Sequence, residues 1–509
     1  MRYIVNASEI KKYDRNTIER IGIPAMVLME RAALGTYDAI REKGIAVPGG
    51  NACILAGYGN NGGDGLALAR LLSEHGMKVE VWLVGDSSKA TDSWKEQNRI
   101  LQSYPVKLCH QPGAEEYNVI IDALFGVGLT REIKGEYADA LQRMNHLKGY
   151  KVAMDIPSGI SADTGEVMGI AFKADLTVTY GFEKVGSYLY PGREYCGEIK
   201  LARIGISERA FFDDDPQMFC LDSDFEELFP ARKQNGNKGI FGKALIIAGS
   251  YQMAGAAILA AKACYCAGAG MVKVLTCAEN RVILQETVPE ALLGTLEDLE
   301  ESIKWCSVIC IGPGMGKGEE ARNAFLYVLR SSEKPVIIDA DGLNLLSEDK
   351  ELCATLRKEG EKGRKIFLTP HLAELKRIYL SIFQVDEVEA LTLMDKIKVQ
   401  PWIYALKTAE FLSAVVVAKD ARTFVCAQGK AVCMNLSGNS GMGTAGSGDV
   451  LAGILTGFIC QGENGAEFET ACRAVRVHGL AGDAAKEIHG EHGMVAGDLI
   501  EALRDKKTL

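Results

Sequence analysis

The chain contains no CxxC pair, although it holds 14 cysteines in 509 residues. That absence excludes the common zinc-site spacing and a thioredoxin-type redox motif. The cysteines are scattered through apolar segments instead (Cys53, Cys264, Cys266, Cys310, Cys460), as buried free thiols of a reducing compartment would be. A basic excess is missing too: 57 Lys and Arg stand against 67 Asp and Glu, for a net charge of −10. From that balance no binding to nucleic acid or to an acidic membrane is expected. A long uninterrupted apolar run is also lacking. The nearest, Met253 to Val272, is broken by Lys262 and crowded with small residues, which reads as a closely packed helix and not a membrane span. The opening, MRYIVNASEIKKYD, has neither the basic start nor the apolar core of a signal peptide, so a cytoplasmic protein is expected.

What is present is the composition of a globular protein, 47% hydrophobic and 24% charged, at a length that suggests several domains. Residues 8–44 read as helical, with Ser8 as the expected cap and Glu9 in the first turn. From Asn51 the pattern changes to short apolar strands alternating with helical stretches: Ala52–Ala56, Val79–Val84, Val119–Ala123, Lys151–Ile156 and Leu176–Tyr180. That alternation implies an α/β fold with a parallel sheet and helices on both faces, whose ligands bind at the carboxyl ends of the strands. Polar clusters gather at those ends: Asn60-Asn61-Gly62-Gly63-Asp64, then Asp122 with Gly126-Val127-Gly128, then Asp155-Ile156-Pro157-Ser158-Gly159. Each could be a plain turn, but three at strand ends, each with an acid, point to a site. The first is not the GxGxxG fingerprint, and no acid lies at the distance expected for a ribose. A conventional hydride-transfer dehydrogenase is therefore excluded.

Through GYGNNGGDG, DALFGVGL and MDIPSG, residues 5–210 resemble the YjeF N-terminal domain, the NAD(P)H-hydrate epimerase family. The resemblance implies a Rossmann-like domain in which Asn60, Asn61, Gly62, Gly63 and Asp64 hold the hydrated dinucleotide. The loop Gly126, Val127, Gly128, Leu129, Thr130, Arg131 and Glu132 would hold it as well. Asn61, Asp122 and Ser158 would ligate K⁺, and Asp155 would be the acid/base group at the nicotinamide. A hemiaminal carbon needs such a modestly basic carboxylate.

Between Gly205 and Asn237 the periodicity breaks down, in FFDDDPQ and DSDFEELFPARKQNGNKG, and Asp213-Asp214-Asp215 reads as a solvated linker. The expected domains are 1–215 and 216–509. In the second half, KALIIAGS, MVKVLTC, SVICIG, VIIDA and IFL read as strands, as do Leu412–Lys419 and Ala431–Asn435. Gly312, Gly314 and Gly316 form a backbone surface that a ligand could approach, and Asp339, Asp341, Asn344, His371 and Glu374 follow strand ends. His478 reads as helix packing. In GMGTAGSGDVLAGILTG a glycine-rich loop runs into a helix start, where backbone N–H groups can hold an anion beside Asp449.

KALIIAGS, GPGMG, DADGLN, LTPHLAE and GTAGSGDVLAG together resemble the ribokinase-like α/β domain of NAD(P)H-hydrate dehydratases over residues 223–505. The two halves in this order resemble the bifunctional NAD(P)H-hydrate repair enzymes. The resemblance implies that Ala256, Gly314, His371 and Asp449 contact the hydrated cofactor. Lys419, Asp420, Ala421, Arg422 and Thr423 would lie along an adenine nucleotide, with Gly448 near its phosphates. Asp420 departs from the family, which has Gly there, and Leu375–Phe411 carries none of its strings.

Asp449 would deprotonate the C6 hydroxyl of the S hydrate for attack on ADP or ATP, with Mg²⁺ on the phosphates and ADP the expected donor. Partners are then hydrated NADH or NADPH and an adenine nucleotide, with no nucleic acid, no membrane, and a homo-oligomer expected. Two other readings stay open: a ribokinase-like small-molecule kinase fused to a YjeF-type ligand-binding domain, and a binding scaffold.

Overall fold

The computed structural model describes residues 1–222, 228–230, 232, 234–462 and 466–504. Parts of the expected linker (223–227, 231 and 233), a short stretch at 463–465 and the last five residues of the expected second domain lie outside the described residues. Two compact units result, residues 3–217 and residues 218–509 with the first two residues.

In the N-terminal unit the strands are β1 (Arg2–Val5), β2 (Asn51–Ala56), β3 (Lys78–Leu83), β4 (Lys107–Cys109), β5 (Glu116–Ala123), β6 (Lys148–Met154), β7 (Leu176–Tyr180), β8 (Glu183–Lys184) and β9 (Glu198–Ala202). A parallel sheet runs in the order β4-β3-β2-β5-β6-β7-β9, and β1 pairs separately with β8. Alternate residues of these strands go to opposite faces. Ile54, Val81, Ile121 and Val152 pack with Leu28, Ala32, Leu66 and Leu72, whereas Leu55, Trp82, Ile120 and Ala153 pack with Leu141, Met144 and Phe172. Both faces are covered, which is why the strands read as continuous apolar runs.

The expected helix 8–44 is three pieces: Ala7–Asn16, a π-helical turn Thr17–Ile21, and Ala25–Glu42. Gly22, at φ 90°, turns left-handed ahead of Pro24 and breaks it. The cap is Asn6 and not Ser8. Its side chain accepts from the Ser8 and Glu9 amides, and the Glu9 carboxylate accepts from the Asn6 N–H at 2.8 Å. This reciprocal pair satisfies two donors, which Ser8 could not do from inside the first turn.

In the C-terminal unit the strands are β10 (Met218–Cys220), β11 (Lys243–Ile247), β12 (Met271–Leu275), β13 (Leu292–Gly294), β14 (Val308–Ile311), β15 (Val336–Ile338), β16 (Ile366–Leu368), β17 (Val415–Ala418), β18 (Phe424–Cys426) and β19 (Val432–Met434). Their order is β13-β12-β11-β14-β15-β16-β17-β18-β19-β10, parallel except where β18 pairs with β17 and β19. The run expected as Leu412–Lys419 starts later. A helix, Pro401–Leu412, continues to its first residue, and Ser413 then turns left-handed at φ 49°. Leu375–Phe411 lies in three helices, Leu372–Ile382, Glu387–Val399 and Pro401–Leu412.

The apolar stretch from Met253 is a helix, Ala254–Cys266, that ends before β12. Among the described residues no helix is long and apolar enough to cross a membrane. Its small residues serve contact with the helix Ser447–Cys460. A methyl group at Gly453 would meet the Ala260 carbonyl, and one at Gly457 would lie 2.6 Å from the Cys264 carbonyl oxygen. All the cysteines are free thiols.

Candidate active site

In the N-terminal unit the carboxyl ends of β2, β5, β6 and β7 open onto a cavity of about 740 Å³. The strand-to-helix turn after β2 is tight. A side chain at Gly62 would collide with the Gly57 carbonyl, and one at Gly63 would sit 2.7 Å from the Met29 methyl. The helix Asn60–Glu74 starts within the NNGGD string, and its cap, Gly59, supplies no side-chain acceptor, so the first N–H groups face the cavity unpaired by a cap. Asn60, Asn61, Asp64 and the loop Gly126 to Arg131 line this cavity, with Asp155. Gly62 and Gly63 are buried behind it, and Glu132 is exposed in an ion pair with Lys134 at 2.8 Å.

Asp155 terminates β6 in the left-handed region at φ 67°, a conformation Asp tolerates better than most residues. Its N–H donates to the Val178 carbonyl, and its Oδ1 accepts from the Tyr180 N–H at 3.1 Å and from Lys184 Nζ. Lys184 has no exposed surface. Its ammonium also donates to the Tyr180 carbonyl at 2.8 Å and to Thr179 Oγ1 at 3.1 Å. Sequence reasoning missed this residue. Asp14 and Tyr180 line the same cavity, and the Tyr180 hydroxyl lies 2.7 Å from Thr36 Oγ1. Burial, then the charges of Asp155 and Asp14, push Asp64 well above the usual carboxylate range. Asp14 is raised by burial first and Asp155 second, while Lys184 opposes the shift.

Beside the cavity, Asp122 is completely buried, and burial pushes it up to about 6. Its carboxylate accepts from the Ser158 N–H and hydroxyl, both at 2.7 Å, and from the Leu124 N–H at 3.2 Å. Ser158 Oγ in turn accepts from the Phe125 N–H. Asn61 packs against Gly126, and its Nδ2 is buried without a partner among the described residues.

In the C-terminal unit a second group of charges meets at the start of the helix Ser447–Cys460. Gly446, left-handed at φ 91°, is the cap and has no side chain to satisfy the first N–H groups. Asp449 is the third helical residue. Burial first, then Asp339 and Asp341, raise it to about 6, while Lys419 opposes the shift. Lys419 Nζ donates to Asp339 Oδ1 at 2.8 Å, and Thr369 Oγ1 donates to the same oxygen at 2.7 Å. A Cβ at Gly448 would lie 3.2 Å from Lys419 Nζ. The ammonium thus sits beside the glycine loop, while Asp420 to Thr423 turn the β17–β18 hairpin with Asp420 exposed.

His371 caps the helix Leu372–Ile382: its Nδ1 accepts from the Ala373 and Glu374 amides at 3.1 and 3.2 Å. Burial and then Lys419 hold its pKa down, so Nε2 is left on a neutral ring. Gly314 adopts φ +56°, and a Cβ there would lie 3.0 Å from that of Ala256, so these two expected residues adjoin. Asp341 fastens the same loop by accepting from the Gly316 N–H at 2.9 Å. His478, which reads as helix packing from the sequence, reaches the glycine-rich loop: its Nε2 lies 3.0 Å from the Ser447 carbonyl. Burial pulls that ring down to about 4. It is neutral at pH 7 and donates Nε2–H to the carbonyl.

Residues 25–186 match the family described as YjeF-related protein N-terminus, and residues 244–505 match NAD(P)H-hydrate dehydratase. The bifunctional NAD(P)H-hydrate repair enzyme of Thermofilum pendens is 35% identical, covering 98% of this chain and 95% of that protein. The enzyme of the same description from Coxiella burnetii is 34% identical over 99% of both. Among solved structures, an ADP/ATP-dependent NAD(P)H-hydrate dehydratase from Bacillus subtilis, co-crystallised with ATP and Mg²⁺, is 26% identical with a TM-score of 0.47. It covers 55% of this chain and 95% of that one.

Proposed function

The chain belongs to the family of bifunctional NAD(P)H-hydrate repair enzymes, and from that premise we propose how its two sites share the work. It epimerises the R and S hydrates of NADH and NADPH, and dehydrates the S hydrate with the help of a nucleotide. Residues 1–215 carry the epimerase and 216–509 the dehydratase. The reading as a small-molecule kinase fused to a YjeF-type ligand-binding domain is set aside, because relatives matching the whole chain are described as repair enzymes.

The observation that carries the dehydratase reading is Asp449: a carboxyl near 6, in the first turn of a helix whose amides no side chain caps, beside the Lys419–Asp339 pair. A base that ionises near the working pH suits removal of a hydroxyl proton. Asp449 takes the C6 hydroxyl proton, the oxygen attacks the terminal phosphoryl group of ADP, and AMP leaves. The Gly446 to Gly448 amides and Lys419 meet the charge that develops. The ring nitrogen lone pair then expels phosphate, and loss of a C5 proton restores the dihydronicotinamide. Gly448 and the hairpin Lys419 to Thr423 serve the nucleotide, and the outward-facing Asp420 is compatible with that. Ala256, Gly314 and His371 form the wall for the hydrate. Mg²⁺ would be held on the nucleotide's phosphates and would offset their charge, since among the described residues no group of three or more carboxylates is placed to hold a metal ion by itself.

In the epimerase, Asn60, Asn61, Asp64 and the loop Gly126 to Arg131 hold the dinucleotide, Gly62 and Gly63 let the turn close behind them, and Asp155 acts at the nicotinamide. Asn61, Asp122 and Ser158 fit K⁺. All offer hard oxygens, Asp122 is buried with no ion pair among the described residues, and the Asn61 amide, turned over, would present its unpartnered end as an acceptor. The ion would supply the missing counter-charge and hold the β5 loop in place.

The test is recovery of dihydronicotinamide absorbance from mixed hydrates with ADP or ATP. Wild type is expected to recover all of it, Asp155→Asn about half at the normal rate because only the S form is dehydrated, and Asp449→Asn none. No recovery by wild type with either nucleotide overturns the assignment.

A further inference from the structure

Epimerisation at a hemiaminal carbon that proceeds through loss and re-addition of water needs two proton-transfer groups. One protonates the departing hydroxyl, and the other takes a proton from the water that adds to the opposite face of the ring. A single carboxylate cannot do both within one passage. The cavity supplies Asp155, tied to Lys184 and the Tyr180 N–H, as one such group.

We propose that Asp14 is the second acid/base group of the epimerase. The inference rests on the epimerase reading above and adds a residue to it. Asp14 enters the cavity from the helix Ala7–Asn16, whereas Asp155 enters from the end of β6, so the two approach a bound ring from different elements. Ile10, Asp14 and Ile18 form one row at four-residue spacing, and all three line the cavity. An acid in the middle of an inward row is costly unless it is paired or used. Among the described residues no hydrogen bond or ion pair holds the Asp14 carboxyl, in contrast to Asp155.

The charged and titratable groups around it are Asp155 and Lys184, Asp64 from the helix Asn60–Glu74, Tyr180 from β7, and Lys11 on its own helix. Burial and the Asp155 charge make Asp14 a weaker acid than a free Asp, the direction a proton donor needs. Asp64 is less suited: it sits in the helix Asn60–Glu74 within the turn proposed to hold the dinucleotide, and burial and the charges of Asp155 and Asp14 raise it well above the usual carboxylate range.

Asp14 gives its proton to the C6 hydroxyl, the C–O bond breaks, water departs, and the N1 lone pair forms the N1=C6 iminium. Water adds to the other face, its oxygen bonds to C6, and its proton goes to Asp155. The pair ends with Asp14 ionised and Asp155 protonated. That is the starting state for the reverse conversion, and exchange with solvent resets it.

The experiment follows interconversion of R and S hydrates by the full chain without nucleotide, in water enriched in ¹⁸O. Each conversion by wild type is expected to place a solvent oxygen on C6. Asp14→Asn is expected to lower kcat by about 100-fold or more with KM little changed. The alkaline limb of the pH profile should be absent from its residual activity, and Asp14→Glu should restore part of the rate. Wild-type kcat in Asp14→Asn, a loss confined to KM, or epimerisation without ¹⁸O uptake overturns the proposal and leaves the epimerase standing. Failure of wild type to epimerise at all removes both.

Discussion

Replacing Asp449 with Asn should stabilise the C-terminal unit while it abolishes dehydration. Asp449 is partly buried, and its carboxyl sits at about 6 against 3.8 for a free Asp, owing to burial and then to Asp339 and Asp341. In the unfolded chain it ionises above pH ~4, but in the fold only above about 6. Ionising it in place therefore costs stability, and a rise of roughly two units corresponds to about 3 kcal/mol. The cost is absent below pH ~4, grows as the pH rises through the folded value, and is constant above it. An Asn at this position carries no charge to penalise, so its gain should follow the same curve. Allowing for imperfect hydrogen bonding of the amide, about 1–3 kcal/mol at pH 8 is expected and close to nothing at pH 4. Hydrogen exchange of the buried amides in Ser447–Cys460, followed by mass spectrometry on the full chain, reads the opening of this unit. An Asn variant destabilised at both pH values, or shifted equally at both, would refute the reasoning.

If Asp449 is the base proposed above, the same carboxyl should set the acid limb of dehydration. kcat/KM should halve near pH 6 and fall about tenfold between pH 7 and 5, as a pH profile under limiting hydrate would record. Gly62→Ala should collapse epimerisation and destabilise the N-terminal unit by about 2 kcal/mol or more, because its methyl group would meet the Gly57 backbone, while nucleotide-dependent dehydration of the pure S hydrate should be kept.

The parts of the fold that were legible are those where backbone demands a residue type. NNGGD and GTAGSGD announce themselves because a tight strand-to-helix turn and an uncapped helix start leave room for little but glycine. The strands were legible from apolar runs covered on both faces. Lys184 was not: nothing in GFEKVG separates a lysine at a buried ion pair from one in solvent, since its partner lies 29 positions away. Asp14 carries a sequence signal in its place in the Ile10–Ile18 row. His478 was read as packing, and only the tertiary fold brings its ring to Ser447. The β17–β18 hairpin escaped because AKDARTFV lacks a strong turn dipeptide. Asn6 escaped as a cap because Ser8 is an equally good capping type on local grounds.

The close pairing of the helices Ala254–Cys266 and Ser447–Cys460 constrains how this protein can change over time. Asp449 stands at the head of one helix and Ala256 near the head of the other, and the two backbones meet where Gly453 and Gly457 carry no side chain. The proposed base and the proposed hydrate wall are therefore one mechanical piece, with no soft layer between them to absorb an added methyl group. On the proposed roles, substitutions that retune substrate preference would be confined to the loops at the rim, such as Gly312 to Gly316 and the hairpin Lys419 to Thr423. Drift in the helix interiors, far from any ligand, would displace the base itself.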